Sequence, residues 1–105
     1  MALSIARGEQ ILAAARLGAV AHYDLVALLI APGSQFCLRM VDIFSRYPYH
    51  RPDLVWAVGE IGDNLDQRLL HVHKVPQIVV WKRGILTYRH NGLFNEHVFQ
   101  TLGVS

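Results

Sequence analysis

The chain has 105 residues, of which 52% are hydrophobic and 17% charged, and its formal net charge is +2. This length and composition predict one globular domain with its own core and exclude a disordered chain. The basic residues are scattered rather than clustered, so we expect no nucleic-acid partner, and the single cysteine excludes an intramolecular disulfide.

The longest unbroken apolar run, residues 25–32, has the length of a β-strand and is far too short to span a bilayer. We therefore expect no membrane partner. We also expect no signal peptide, and Glu9 argues against a transit peptide at the N-terminus. A cytoplasmic location is the resulting expectation.

The first predicted element is a helix that runs from Ser4, as its N-cap, to about Leu17 and is ended by Gly18. Residues 25–31 are apolar throughout, which predicts a strand covered on both faces, as in a layered α/β structure. Ser34 then begins a second helix. Its apolar residues at helical spacing are Cys37, Met40, Val41, Phe44 and Tyr47.

The second half of the sequence predicts three more strands and two more helices. The strands lie at residues 54–61, 78–81 and 85–90, and the helices at residues 65–72 and 95–102. Lys82-Arg83-Gly84 predicts the tight turn of a hairpin. The order α-β-α-β-α-β-β-α predicts one α/β domain over residues 1–105, with a central mixed sheet flanked by helices.

Two short motifs carry a family resemblance. Pro32-Gly33-Ser34-Gln35-Phe36-Cys37 spans the junction of the first strand and the second helix, and Val75-Pro76 precedes the hairpin. With the order of elements, these motifs make the chain resemble the thioredoxin family over nearly its whole length. The resemblance implies a thioredoxin-like fold in which Pro76 follows a cis peptide bond and lies across from the start of the helix.

Three residues depart from the thioredoxin pattern. Ser34 stands in place of the attacking cysteine, Gly33 in place of the aromatic residue before it, and Leu28 in place of the buried acid on the preceding strand. All three positions serve dithiol exchange. The chain is thus similar to atypical members: thioredoxin-like chaperones with a Ser-x-x-Cys motif, or thioredoxin-like accessory proteins of hydrogenase assembly, which lack the dithiol motif.

Cys37 and Ser34 are the candidate catalytic residues, and each also has a structural interpretation. A cysteine in the first turn of a helix is favoured as a thiolate and could form a mixed disulfide with a partner or with glutathione. Alternatively, Cys37 packs in the core with Met40 and Val41. A reactive Ser34 would need a base, whereas serine is also among the best N-cap residues.

The candidate partner-binding residues are Gly33, Phe36, Val75 and Pro76. A cis bond before Pro76 would expose the backbone of Val75 to an extended peptide, which could pair by strand addition. The alternative is a trans proline at the start of an edge strand. Phe36 either contacts the partner or folds back onto the sheet.

The sequence favours neither a metal nor a cofactor. Among its six histidines, His71 and His73 could share a face of an extended segment, but a stable site needs three or four convergent ligands. The glycines do not form a phosphate-binding loop. Trp56 and Trp81 lie within predicted strands and are expected in the core.

The leading functional hypothesis is a protein-interaction or chaperone-type module that binds a protein segment beside Cys37 and Pro76 without dithiol reductase chemistry. The main alternative is an enzyme that carries out monothiol or glutathione-linked exchange through Cys37. A conventional dithiol reductase whose attacking cysteine has been replaced by Ser34 is a third interpretation. The partner's identity and the oligomeric state stay open.

Overall fold

The computed structural model describes residues 5–46, 53–62, 67, 68, 70, 72 and 74–92. The strands and helices in them are β1 (Ile5–Arg7), α1 (Gly8–Ala21), β2 (Asp24–Ile30), α2 (Gln35–Arg46), β3 (Leu54–Glu60), β4 (Gln77–Lys82) and β5 (Ile85–Asn91). Gln67, Arg68 and Leu70 are helical, within the helix predicted at 65–72. The helix predicted at 95–102 lies outside the described residues. Neither α1 nor α2 is long and apolar enough to cross a bilayer.

The strands form one mixed sheet in the spatial order β1-β3-β2-β4-β5. β3 runs parallel to both β1 and β2, whereas β4 is antiparallel to β2 and to β5. β2 is therefore the central strand, and all seven of its residues are buried. This arrangement confirms the mixed sheet with helices that the sequence predicts.

Successive residues of the central strand point to opposite faces of the sheet, and each face has its own core. Val26, Leu28 and Ile30 pack in the cluster that contains Phe44 of α2, and there Phe44 meets Trp56 edge to face at 4.8 Å between ring centroids. The residues between them, such as Leu29, pack in the cluster formed with α1. β2 thus lacks the alternating polar residues of a half-exposed strand because helices cover both of its faces.

The sequence prediction was wrong at the N-terminus, where Ile5–Arg7 is a strand rather than the start of a helix. These residues pair in parallel with residues 58–60 of β3, so sheet hydrogen bonds outweigh the local apolar spacing. Arg7 is the N-cap of α1, and its backbone N–H donates to Oε1 of Gln10 at 2.8 Å. Ser4, the predicted cap, lies outside the described residues.

Gly18 does not end the first helix, contrary to the prediction. α1 continues to Ala21, and His22 follows in the left-handed conformation with φ of 59°. A Cβ atom at Gly18 would lie 2.7 Å from the backbone oxygen of Tyr23. The side chain of Tyr23 lies back along the helix, where its hydroxyl donates to the carbonyl of Ala14. Gly18 is therefore required by a close approach within the structure.

The predicted hairpin turn is confirmed at Arg83 and Gly84, which connect β4 and β5. Both have positive φ angles, 50° and 87°, as a two-residue type I′ turn requires. The backbone N–H of Arg83 donates to Oδ1 of Asp24 at 3.1 Å. This buried carboxylate at the start of β2 thereby fixes the turn to the centre of the sheet.

Candidate functional site

The candidate site begins at the C-terminal end of the central strand β2. β2 ends at Ile30, and the chain turns through residues 31–34 into α2. Gly33 has φ of 74°, which favours glycine, and a Cβ placed there would meet no atom within 4 Å. The backbone N–H of Ser34 donates to the carbonyl of Ala31 at 3.4 Å, which closes the turn.

Ser34 caps the second helix through its side chain. Its Oγ accepts a hydrogen bond from the backbone N–H of Cys37 at 3.3 Å, and its carbonyl accepts one from Leu38 at 3.1 Å. These are the bonds that an N-cap residue makes. In the part of the chain that the structure describes, every hydrogen bond of Ser34 is to a backbone group. These hydrogen bonds are the ones that the structural interpretation of Ser34 expects.

Cys37 is the third residue of α2, and its side chain is only 2% exposed. It belongs to the core cluster with Met40 and Leu28, and Val41 packs against that cluster. The backbone N–H of Ala31 donates to its Sγ at 3.5 Å. The thiol is thus packed in the core, as the structural interpretation of Cys37 expects.

Leu28 occupies the position at which the resemblance places a buried acid. The residue is fully buried in the same cluster as Cys37, between Val58 and Ile78 of the neighbouring strands. A hydrocarbon side chain can neither accept a proton from a neighbouring thiol nor stabilise its ionised form by hydrogen bonding. The surroundings of Cys37 on this face are therefore apolar.

Val75 and Pro76 directly precede β4, the strand that pairs with β2. The peptide bond between them is cis, and the carbonyl of Pro76 accepts from the N–H of Gly92 at 2.9 Å. Val75 is half-buried and packs against the clusters on both faces. Among the described residues, no hydrogen bond uses the backbone of Val75.

The two motifs meet at Ala31. Ala31 contacts Sγ of Cys37 through its amide, and it also lines a cavity together with Val75. The pairing of β2 with β4 ends at Leu29 opposite Gln77, so the turn before α2 and the Val75-Pro76 segment lie at the same end of these two neighbouring strands. Gly33 is exposed in the same turn. Phe36 lies in α2, but its side chain is outside the described part, so its two interpretations stay predictions.

Sequence reasoning missed the cavity itself. It has a volume of about 120 Å³ and is lined by Ala31, Ile61, Gln67, Val72, Lys74 and Val75. The only available signal was Lys74 directly before the Val75-Pro76 motif. Ile61 and Val72 come from the ends of other segments, so their convergence depends on the tertiary fold.

A polar network next to this region was also missed. Arg89 of β5 donates to Oε1 of Gln77 at 2.6 Å and to the carbonyl of Leu70 at 2.7 Å, and Gln77 donates to Oδ1 of Asn91. Burial lowers the pKa of Arg89 from its ordinary value, because burial disfavours the charged form. The network joins the helical residues before the Val75-Pro76 motif to the last two strands.

The histidines give no metal site in the part of the chain that the structure describes. There, no group of three or more histidine, cysteine, aspartate and glutamate side chains converges. His71 and His73, the pair with the most suggestive spacing, lie outside the described residues. Trp56 and Trp81 are buried in the core, at 3% and 6% exposure, as predicted.

Solved structures of thioredoxins share this architecture. The structure of Trxlp from Edwardsiella tarda is 14% identical, with 94% of this chain and 97% of that chain covered and a TM-score of 0.68. Thioredoxin O2 from Arabidopsis thaliana in the oxidized state is 18% identical, with 97% and 94% covered and a TM-score of 0.67. Spinach chloroplast thioredoxin F is 10% identical, with 95% and 89% covered and a TM-score of 0.71.

No protein-family model matches the sequence, and no curated protein matches it. At these low identities, the likeness to solved structures concerns the path of the chain and not its chemistry. This chain therefore has the thioredoxin-like fold.

Proposed function

We propose that this chain is a thioredoxin-like interaction module that holds an extended protein segment against Gly33, Phe36, Val75 and Pro76 and has no dithiol reductase activity of its own. The observation that carries the proposal is the burial of Cys37, which is 2% exposed and shares an apolar core cluster with Leu28, the residue in the place of the acid. The resemblance to Ser-x-x-Cys chaperones and to accessory proteins of hydrogenase assembly supports the same function.

The backbone of Val75 supports segment binding. An extended peptide pairs with free backbone N–H and C=O groups, and side-chain pockets beside them then give specificity. Val75 has both groups without partners among the described residues, and it lines the cavity. This type of binding needs no thiol.

The binding half of the proposal is tested with an unfolded protein of known identity. Reduced, carboxymethylated lactalbumin is titrated into ¹⁵N-labelled protein, and amide shifts are mapped. We expect shifts at Gly33, Ala31 and Val75 that persist in the Cys37→Ala variant. Shifts confined to another surface, or none at all, would contradict binding at this site.

The redox half is tested by insulin reduction with dithiothreitol as electron donor. We expect turnover at the background rate, because two thiols are needed to reduce a disulfide and release the oxidised enzyme, and the chain has one cysteine. Ser34→Cys is the matched variant. It restores the second sulfur but keeps Leu28, so we expect it to be a poor reductase at neutral pH. Robust turnover by the unmodified chain would exclude the proposal.

The alternative enzyme activity is monothiol exchange through Cys37. The hydrogen bond from Ala31 to Sγ and the position at the start of α2 are its supporting observations. In this reaction the Cys37 thiolate attacks glutathione disulfide, forms a mixed disulfide and releases one glutathione thiolate. Rapid glutathionylation of the folded protein, seen by mass spectrometry, would favour this alternative over the interaction module.

A further inference from the structure

The cavity between Ala31 and Val75 has a size that suits one side chain. Its volume is about 120 Å³, and most of its wall is hydrocarbon: Ile61 and Val72 are 7% and 1% exposed, and Ala31 and Val75 are half-buried. An apolar protein cavity of roughly 150 Å³ accommodates benzene. A slightly smaller cavity favours a branched aliphatic side chain over an aromatic ring.

The polar part of the wall carries positive charge. Gln67 and Lys74 are exposed, and the described residues that line the cavity include neither aspartate nor glutamate. Among the described residues, Lys74 has no ion-pair partner. A carboxylate next to the inserted side chain would therefore complement the charge of Lys74.

Val75 connects this cavity to the proposed segment-binding site. Its backbone N–H and C=O have no hydrogen-bond partner among the described residues, and its side chain forms part of the cavity wall. Side chains of an extended segment alternate in direction, so a segment paired with Val75 would direct some of its side chains toward the cavity. We propose that the cavity receives one branched aliphatic side chain of the bound segment and that Lys74 binds an acidic residue beside it. This inference rests on the proposed function and gives it a sequence preference.

The test uses a series of host peptides, acetyl-Gly-Ser-X-Z-Ser-Gly-amide, titrated into ¹⁵N-labelled protein. X is alanine, valine, leucine or phenylalanine, and Z is glutamate, glutamine or lysine. With Z as glutamate, we expect leucine to bind about tenfold more tightly than alanine, because it buries several more carbon atoms. Phenylalanine should bind more weakly than leucine, and shifts should include Ala31, Val72 and Lys74.

Variants of the wall separate shape from charge. Val72→Phe fills the cavity from its inner side and should abolish the preference for leucine over alanine. Ala31→Leu fills it from the other side and serves if Val72→Phe fails to fold. Lys74→Glu should reverse the relative affinities of the peptides with glutamate and with lysine at Z. Lys82 is also exposed and lies at the far end of β4, so Lys82→Glu should leave these relative affinities unchanged.

Equal affinity for the leucine and alanine peptides would overturn the cavity assignment. If the Lys74→Glu variant still binds the glutamate peptide more tightly than the lysine peptide, the role of Lys74 is overturned. Neither result would affect the proposed function, which the lactalbumin titration decides independently. If no peptide of the series binds while lactalbumin does, the sequence preference is wrong and segment binding stands.

Discussion

The backbone amide of Ala31 donates a hydrogen bond to Sγ of Cys37 at 3.5 Å, across the turn that links the central strand to α2. The same Ala31 lines the cavity with Val75. The single thiol is thus held in the core, one residue away from the wall of the cavity. This relationship favours a structural role for the thiol.

The first prediction concerns the reactivity of Cys37. Because its side chain is 2% exposed and packed with Leu28, iodoacetamide can reach it only after local opening. We expect alkylation of the folded protein to be at least about 100-fold slower than of the urea-unfolded chain at the same pH. Mass spectrometry of timed samples measures both rates.

A matched control places a thiol one residue further along the same helix. Leu38 is 55% exposed, so Leu38→Cys in a Cys37→Ala background should be alkylated rapidly in the folded state. If Cys37 reacts as fast as that control, the thiol is accessible and monothiol chemistry becomes the better explanation.

The second prediction concerns the cap at Ser34. Ser34→Ala removes the acceptor of the Cys37 N–H and should lower the free energy of unfolding by about 1 kcal/mol, whereas Ser34→Gly should cost only a few tenths. Urea unfolding measures the difference. Ser45→Ala is the control, since the Ser45 hydroxyl is exposed and donates to the carbonyl of Asp42 late in the same helix. A Ser34→Ala protein as stable as Ser45→Ala would exclude the capping role.

The sequence predicts most of the sheet because apolar runs and turn chemistry are local signals. Residues 25–31, seven residues without a polar side chain, predict a strand covered on both faces, and Lys82-Arg83-Gly84 predicts a tight turn, which the structure places at Arg83 and Gly84. The Ser34 cap is equally local. These elements locate the site before any coordinates are known.

The errors have a common physical cause, which is that the decisive contact is distant in sequence. Ile5–Arg7 becomes a strand because β3 offers it a parallel partner more than fifty residues away. Gly18 is needed because Tyr23 folds back onto it. The cavity is likewise lined by Ala31, Val72 and Val75, and no periodicity in the sequence indicates that these residues lie close together.

The third prediction concerns Arg89. Removing its guanidinium leaves the carbonyl of Leu70 and the 3% exposed Gln77 without their charged donor. We expect Arg89→Met to lower the free energy of unfolding by about 1–3 kcal/mol. Hydrogen exchange should also speed up at Leu70 and at Val72, whose amide donates to the carbonyl of Gln67 at 3.0 Å, because the network holds the segment before Pro76 against the sheet.

Arg46→Met is the control for Arg89→Met. Arg46 forms an exposed ion pair with Asp42 at 3.0 Å, and such pairs are worth about 0–1 kcal/mol. Equal losses of stability in the two variants would show that Arg89 contributes no more than a surface charge. Unchanged exchange at Leu70 would contradict its role in positioning the segment.

The fourth prediction concerns the pH dependence of stability through Tyr23. Burial raises the pKa of Tyr23, whose hydroxyl donates to the carbonyl of Ala14 and holds the end of α1. The folded state therefore binds this proton more tightly than the unfolded chain, whose tyrosine has a pKa of about 10. Its contribution is fully present below pH 10 and is lost as the pH rises through the raised folded value.

Comparison with Tyr23→Phe isolates this contribution. At pH 7 the wild-type chain should be more stable than the variant by about 0.5–1.5 kcal/mol, the value of one hydrogen bond. Above about pH 10 the difference should shrink, because only the wild-type chain must keep a proton on this side chain to stay folded. Urea midpoints measured for both proteins from pH 7 to 11.5 give the comparison. A constant difference across that range would show that the proton on Tyr23 is not linked to folding.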